Sequence, residues 1–188
     1  MQNTLEQQGP PFDLDPETLF DLQKELYRWQ IWNFGEQEAE RVILGICEET
    51  GELCHSLLKS LQGIRGTPEE HDANMRDAIG DIMIYSINYL SGVDKQMPSF
   101  LPDTTPPTND ETALRRAAFT IFRNVSKMTA SSTIDTDARS LFYSLNYFCA
   151  LKGWNLEQIL RETWADVGRR DWKTYPKTGM PEATTGQG

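Results

Sequence analysis

The chain has 188 residues and a mass of 21.5 kDa, enough for one domain with its own hydrophobic core. A content of 38% hydrophobic and 24% charged residues is typical of a folded protein, and no uncharged apolar stretch approaches the roughly 18 residues of a membrane span. The net charge of −10 argues against a nucleic-acid polymer as the main partner.

The charge is unevenly distributed along the chain. Residues 1–110 carry 20 acidic and 7 basic side chains, or −13, whereas residues 111–188 carry 8 acidic and 11 basic side chains, or +3. The first 11 residues are too polar for a signal peptide. Cys47 and Cys54 lie seven residues apart on one predicted helix, about 10 Å apart and too far for a disulfide, so we expect a reducing, cytoplasmic location.

Six helices are predicted from caps, breakers and the helical spacing of apolar residues. The start signals are Asp15-Pro16 for the first helix, Thr67-Pro68-Glu69-Glu70 for the third, and Asn155 with Gln158 for the sixth. No strand pattern competes with this interpretation. The predicted helices span about 16–33, 37–61, 68–90, 111–128, 136–151 and 155–172.

These helices predict an all-α bundle of five to six helices in one domain over residues 16–174. A stretch rich in Pro, Thr, Asp and Ser predicts a long loop at about 91–110. Residues 1–15 and 175–188 are expected to be flexible ends.

Three carboxylates share one face of the second predicted helix. Glu48 and Glu52 are four residues apart and Glu49 and Glu52 are three apart, within an apolar stretch. Asp77 and Asp81 form a second pair, four residues apart, on the third helix. Because helices joined by a short connection pack antiparallel, we expect four or five of these oxygens to surround one point, as Mg²⁺ or Mn²⁺ requires. The alternative is a solvated acidic stripe.

At these residues the chain resembles the MazG-like, all-α nucleoside triphosphate pyrophosphohydrolases. Their signature is EExxE followed by ExxD, and Glu48-Glu49-Thr50-Gly51-Glu52 matches the first part. In the second part, Ala78 replaces the glutamate while Gly80-Asp81 is kept, a variant similar to that of a phage and bacterial subgroup. The resemblance covers residues 20–90, and 164–173 are similar to the closing helix of the subgroup. It implies a four-helix core within the bundle.

The resemblance implies cleavage of a nucleoside triphosphate between the α and β phosphates, giving a nucleoside monophosphate and pyrophosphate. It assigns Glu49, Glu52 and Asp81 as Mg²⁺ ligands, and Glu48 to a second metal or to the attacking water. Asp77, one residue before the missing glutamate, is a further candidate ligand. Assembly as a homodimer or homotetramer is implied as well.

A triphosphate also needs cationic groups and a pocket for the base. The strongest phosphate candidate is Lys59, two turns after Glu52. The pair Arg169 and Arg170 is explained equally well as favourable charge at a helix C-terminus. The remaining candidates are Arg76 and Lys173 for phosphate, and Gln30 and Asn33, within Trp29-Gln30-Ile31-Trp32-Asn33-Phe34, for the base edge.

Two other functions are compatible with parts of the sequence. Glu52-Leu53-Cys54-His55 is the ExxH ligand pair of di-iron bundles, but the second such pair is missing, because Pro68 stands three residues before His71. A degenerate bundle that binds nucleotide or a partner protein without turnover is the other possibility, and Ala78 in the ligand position is its main support.

Overall fold

The computed structural model describes residues 10–99, 111–129 and 134–181. Within these ranges the chain is entirely helical, with six helices and no strand, which confirms the all-α prediction. Not one of these six helices combines the length and apolarity needed to cross a membrane. The helices are α1 (Leu19–Phe34), α2 (Ala39–Gln62), α3 (Pro68–Gly92), α4 (Glu111–Met128), α5 (Ile134–Lys152) and α6 (Leu156–Val167).

The local signals set most helix ends. Thr67 and Glu70 form a capping box at the start of α3, and Gly63 ends α2 in the left-handed conformation at φ 62°. The predicted start of α1 at Pro16 was wrong, because Thr18 is the N-cap and its side chain accepts a hydrogen bond from the Asp21 N–H.

The sixth helix is shorter than its pattern predicted. Asn155 caps α6 as expected, but the helix ends at Val167 rather than near residue 172. Gly168 packs against Leu14 and Trp164 so closely that a Cβ there would overlap the Leu14 side chain. The chain after α6 is not helical, so the basic residues Arg169, Arg170 and Lys173 lie on turns and irregular backbone instead of a helix.

Helix α3 is the centre of the bundle. It packs against α1, α2, α5 and α6, most extensively against α2. Met75, Ile79, Ile82, Met83 and Leu90 are fully buried along it. Each such side chain contributes about 1.5–3 kcal/mol of transfer free energy, so the core fixes the position of α3 relative to its neighbours. Helices α4 and α5 pair with each other beside this group, and α4 also contacts α2.

Two glycines allow α2 and α6 to approach α3 closely. A Cβ on Gly45 of α2 would overlap the ring of Tyr85, and a Cβ on Gly80 of α3 would overlap the side chain of Thr163 on α6. Both side chains therefore pack directly on helix backbone. These contacts bring α2, α3 and the end of α6 together around Asp81, which follows Gly80.

The segments flanking the helices also contact the bundle. Trp164 Nε1 donates to the Asp13 carbonyl at 2.9 Å, and Phe12 is buried. At the other end, the Asp171 N–H donates to the Gly179 carbonyl at 2.7 Å. Of the ends expected to be flexible, residues 1–9 and 182–188 lie outside the described residues, as do 100–110 of the predicted loop.

Candidate active site

Five carboxylates lie on the facing parts of α2 and α3. Glu48, Glu49 and Glu52 project from one turn of α2, and Asp77 and Asp81 from successive turns of α3. Glu49 and Asp81 are partly buried, whereas the other three are exposed. Glu49 feels the negative charge of all four others, so the helices bring the five groups into one electrostatic cluster, which we call the acidic cluster.

The acidic cluster has no cationic partner in direct contact. Within the described residues, none of its five carboxylates makes a hydrogen bond or a salt bridge, unlike the carboxylates of Asp72 and Glu162. No three His, Cys, Asp or Glu side chains in the described ranges are arranged to hold a metal ion. The expectation that four or five of these oxygens surround one point around a bound cation therefore stays a prediction, because like charges repel and exposed side chains are not held together without the cation.

Burial and mutual repulsion raise the pKa values of the two inner carboxyls. The pKa of Glu49 rises to about 8, mainly through burial and then through the charges of Asp81, Glu52, Glu48 and Asp77. The pKa of Asp81 rises to about 6 through burial and the Asp77 charge, although Arg170 partly offsets this. A divalent cation would relieve both the repulsion and the proton uptake, so this all-oxygen donor set fits a hard cation such as Mg²⁺.

Glu49 and Asp81 line a cavity of about 450 Å³ between α1, α2, α3 and the segment after α6, which we call the α1–α3 cavity. Cavities of this size hold small organic ligands. Its other polar walls are the amides of Gln30, Gln37 and Asn88 and the guanidinium groups of Arg41 and Arg170. Its apolar walls are Trp29, Phe34, Val42, Ile84, Tyr85, Val167 and Trp172.

Two further cavities open on the acidic cluster. Asp77 and Asp81 line one of about 570 Å³ between α3 and α6, together with Arg76, Asp166 and Arg170. Glu48, Glu52 and Asp77 line another of about 550 Å³ on the outer side of α2 and α3, together with His55. Asp77 therefore connects the two outer cavities, and Asp81 connects the inner cavity with the one beside α6.

Arg170 is the cation best placed to act with the acidic cluster. It lines both cavities that contain Asp81, and its positive charge offsets part of the rise that burial causes in the pKa values of Asp81 and Tyr85. Its backbone is fixed, since the Arg170 carbonyl accepts a hydrogen bond from Trp29 Nε1 at 2.8 Å. Its guanidinium makes no salt bridge among the described residues, which leaves it available for an anion.

The other predicted phosphate ligands are placed less favourably. Arg76 lines the cavity beside α6 but is bound to Glu162 at 2.7 Å. Lys59 lies in the last turn of α2, bonds to Gln62 at 3.2 Å, and lines none of the three cavities, because the axis of α2 carries it two turns away from Glu52. Lys173 lies over the Trp32 ring, and Arg169 is exposed outside these cavities.

The two predicted base ligands occupy different environments. Gln30 is 5% exposed and lines the α1–α3 cavity. Asn33 does not, because its amide is engaged within the protein: Nδ2 donates to the Trp29 carbonyl at 2.9 Å, and Oδ1 accepts from the Trp172 N–H at 2.6 Å. Asn33 thus fixes Trp172, which does line the cavity.

The histidines do not form a di-iron set. His55 lines the outer cavity beside Glu52, as its spacing predicts. His71 is 4% exposed and its Nε2 lies 3.1 Å from the Ile64 carbonyl oxygen, which occupies that nitrogen. The ExxH interpretation therefore lacks its second ligand pair among the described residues.

Sequence reasoning missed Arg41, Tyr85 and Asn88. Arg41, Gly45 and Glu49 are spaced four residues apart, so the α2 periodicity could have placed Arg41 on the Glu49 face. Tyr85 follows Asp81 by four residues on α3 for the same reason. The sequence did not predict a role for Asn88, because an amide in an apolar helix can be assigned to a site only when the groups around it are known.

Comparison of the chain with models of known protein families, with curated proteins and with solved structures finds no match. The resemblance to MazG-like enzymes therefore rests on the Glu48–Glu52 and Asp77–Asp81 motifs alone.

Proposed function

We propose that the protein is a Mg²⁺-dependent nucleoside triphosphate pyrophosphohydrolase that cleaves between the α and β phosphates. The observation that carries this proposal is the position of Glu49 and Asp81: two partly buried carboxylates without protein partners line a cavity that also holds Arg170 and aromatic and amide walls. A hard cation, a polyanion and a planar base would each meet suitable groups there.

Glu49, Glu52 and Asp81 would hold the metal, with Asp77 and Glu48 as further ligands, and Mn²⁺ would serve as an alternative to Mg²⁺. When bound, the metal supplies neutralisation of phosphate charge and a lowered pKa for coordinated water. The exposed carboxylates need to turn inward for this, since no three of the described ones form a ready set.

The remaining groups of the chain bind and orient the substrate. Arg170, next to Asp81, meets the anionic phosphates with a bidentate donor. A carboxylate of the acidic cluster that is not engaged by metal accepts the proton of the attacking water, a role that Glu48 can fill from the edge of the cluster. The aromatic rings of the α1–α3 cavity limit water access around the nucleoside.

Location and assembly are parts of the same proposal. Three free cysteines fit a reducing cytoplasm. Assembly as a homodimer or homotetramer would cover the exposed stripe of α2, where Leu44 is 68% and Leu58 49% exposed. Light scattering of the purified chain tests the assembly.

The experiment is a panel of ribo- and deoxyribonucleoside triphosphates, assayed for pyrophosphate and monophosphate with Mg²⁺ and with a chelator. Mg²⁺-dependent release of equal amounts of both products from at least one of them supports the proposal. Release of orthophosphate, or no turnover of any triphosphate in Mg²⁺ or Mn²⁺, contradicts it. In the second case, Ala78 in the ligand position would favour the degenerate, nucleotide- or protein-binding bundle.

A further inference from the structure

The α1–α3 cavity contains a buried amide without a partner. Asn88 lies on α3, seven residues after Asp81, and is 3% exposed. Its Oδ1 accepts no hydrogen bond in the described structure, and no other hydrogen bond satisfies its side chain. A buried polar group left in this state costs about 1–3 kcal/mol. Asn88 differs from the other such group on α3, Ser86, because Asn88 lines a cavity, where a ligand could supply the missing partner.

The surroundings of Asn88 indicate what this use is. Asn88 lines the α1–α3 cavity and also an adjoining cavity of about 380 Å³, so it lies in the wall between them. Gln30, Gln37 and Val42 line both spaces as well. The buried amides of Gln30 on α1 and Asn88 on α3 therefore face the same space.

The same space offers flat apolar surfaces. Trp29, Phe34 and Trp172 line the α1–α3 cavity. The Trp29 ring is held by its hydrogen bond to the Arg170 carbonyl, and the backbone N–H of Trp172 donates to Asn33. Aromatic rings beside an unsatisfied amide suit a planar heterocycle with polar edges. A carboxamide places a donor and an acceptor side by side, which matches the adjacent donor and acceptor of a nucleobase edge.

We propose that Asn88 binds the edge of the nucleobase, with its Oδ1 accepting from a base N–H and Gln30 completing the contact. This inference rests on the proposed function, which supplies the triphosphate part of the ligand. It adds Asn88 as the residue that makes binding depend on the base. Asn88 takes the place that the sequence assigned to Asn33, whose amide is used to position Trp172.

The test compares Asn88→Leu with Ser86→Ala. Ser86 lies two residues earlier on α3, is also fully buried with an unpartnered hydroxyl, and lines neither cavity. Binding of ATP, GTP, CTP and UTP is measured by calorimetry with Ca²⁺ in place of Mg²⁺ to slow turnover. Inorganic tripolyphosphate serves as the probe without a base, and thermal unfolding is followed in parallel.

We expect the unaltered chain to bind at least one of the four nucleotides about tenfold or more tightly than tripolyphosphate. Asn88→Leu should remove this preference while leaving tripolyphosphate binding and the midpoint of unfolding no lower than before. Ser86→Ala should retain the preference. A structural Asn88 would instead give lower stability and weaker binding of tripolyphosphate as well.

The inference is overturned if Asn88→Leu keeps the preference, if the unaltered chain shows none, or if the variant is destabilised and loses tripolyphosphate binding. The two proposals fail separately. If the chain binds nucleotides with a base preference but hydrolyses none of them, the proposed function is wrong and the role of Asn88 stands. If the chain hydrolyses nucleotides and Asn88→Leu keeps the base preference, the proposed function stands and the role of Asn88 is wrong.

Discussion

The charged residues of α3 fall into two regions with different environments. In its first turns, Asp72 binds Lys152 of α5 at 2.6 Å and Arg76 binds Glu162 of α6 at 2.7 Å. Asp77, directly after Arg76, and Asp81, about one turn further, have no cationic partner in direct contact among the described residues. The same helix thus uses charge first to fix its neighbours and then, beside α2, to concentrate unpaired negative charge.

This difference separates structure from function. Partly exposed ion pairs contribute little stability but are satisfied without a ligand. Unpaired carboxylates facing each other oppose folding, and two of them take up protons as a result. A group of unpaired charges that lowers the stability of the free protein is where a ligand of opposite charge is expected to bind. Substitutions in the two regions of α3 should therefore have different effects.

The largest effect is expected from Glu49→Gln. It removes one of the two partly buried carboxylates and keeps its shape, so turnover should fall by about 100-fold or more while helix content is unchanged. Pyrophosphate release and circular dichroism measure both. The control is Glu40→Gln, an exposed carboxylate on the same helix. Equal activity of the two variants would mean that Glu49 has no catalytic part.

Arg170→Gln should have the next largest effect. Arg170 lines both cavities that contain Asp81 and makes no salt bridge among the described residues, so its loss should lower kcat/KM by about tenfold or more. Arg169→Gln, one residue earlier and exposed outside the cavities, should stay within about twofold of the unaltered enzyme. If Arg169 and Arg170 respond alike, general surface charge explains the effect and the phosphate assignment is wrong.

The pair Asp77→Ala and Asp72→Ala compares the two regions directly. Asp77→Ala should raise the Mg²⁺ concentration needed for half-maximal rate several-fold and leave stability unchanged or higher, because it removes repulsion. Asp72→Ala should leave the Mg²⁺ requirement unchanged and lower the free energy of unfolding by about 1 kcal/mol or less. Metal titrations and denaturant unfolding measure these changes, and the same metal dependence in both variants would exclude Asp77 as a ligand.

The last prediction concerns stability alone, as a pH dependence in the metal-free protein. The pKa of Glu49 rises from 4.5 in the unfolded chain to about 8 in the fold, so the folded state binds this proton more tightly. The contribution of Glu49 to the free energy of unfolding is therefore most favourable below about pH 4.5, and it decreases as the pH rises towards 8. Asp81 acts in the same direction, between its ordinary value of 3.8 and about 6.

Thermal unfolding in chelator at several pH values from 5 to 8 measures this slope. The midpoint should decrease over this range, Glu49→Gln should flatten the decrease, and Mg²⁺ should reverse it at pH 8. A midpoint that is the same in Glu49→Gln and the unaltered chain at every pH would show that Glu49 stays ionised in the fold.

Much of the fold and part of the site follow from local sequence. The Thr67 capping box, the Gly63 terminator and the apolar periodicity predict helices because they depend only on nearby residues. The i, i+3 and i, i+4 spacing places the carboxylates of each helix on one face. The antiparallel packing of α2 and α3 then brings both sets together without further information.

The remaining features depend on contacts between distant parts of the chain. The amide of Asn33 is occupied because Trp172, 139 residues later, donates to it, and the amide of Asn88 is unsatisfied because no group reaches it. Helix α6 stops where Gly168 meets Leu14 from the N-terminal segment. Local composition does not reveal these contacts. The sequence therefore favoured Asn33 as a base ligand, Lys59 as a phosphate ligand and a longer last helix.

The most direct test of the central claim, that the acidic cluster is a divalent-cation site, is a titration with Mn²⁺ at pH 7.5 followed by electron paramagnetic resonance. The account predicts saturable binding to the unaltered chain with release of protons, since bound metal ionises Glu49, and loss of that binding in Glu49→Gln combined with Asp81→Asn. Absence of saturable binding to the unaltered chain, both alone and with a nucleoside triphosphate, would contradict it.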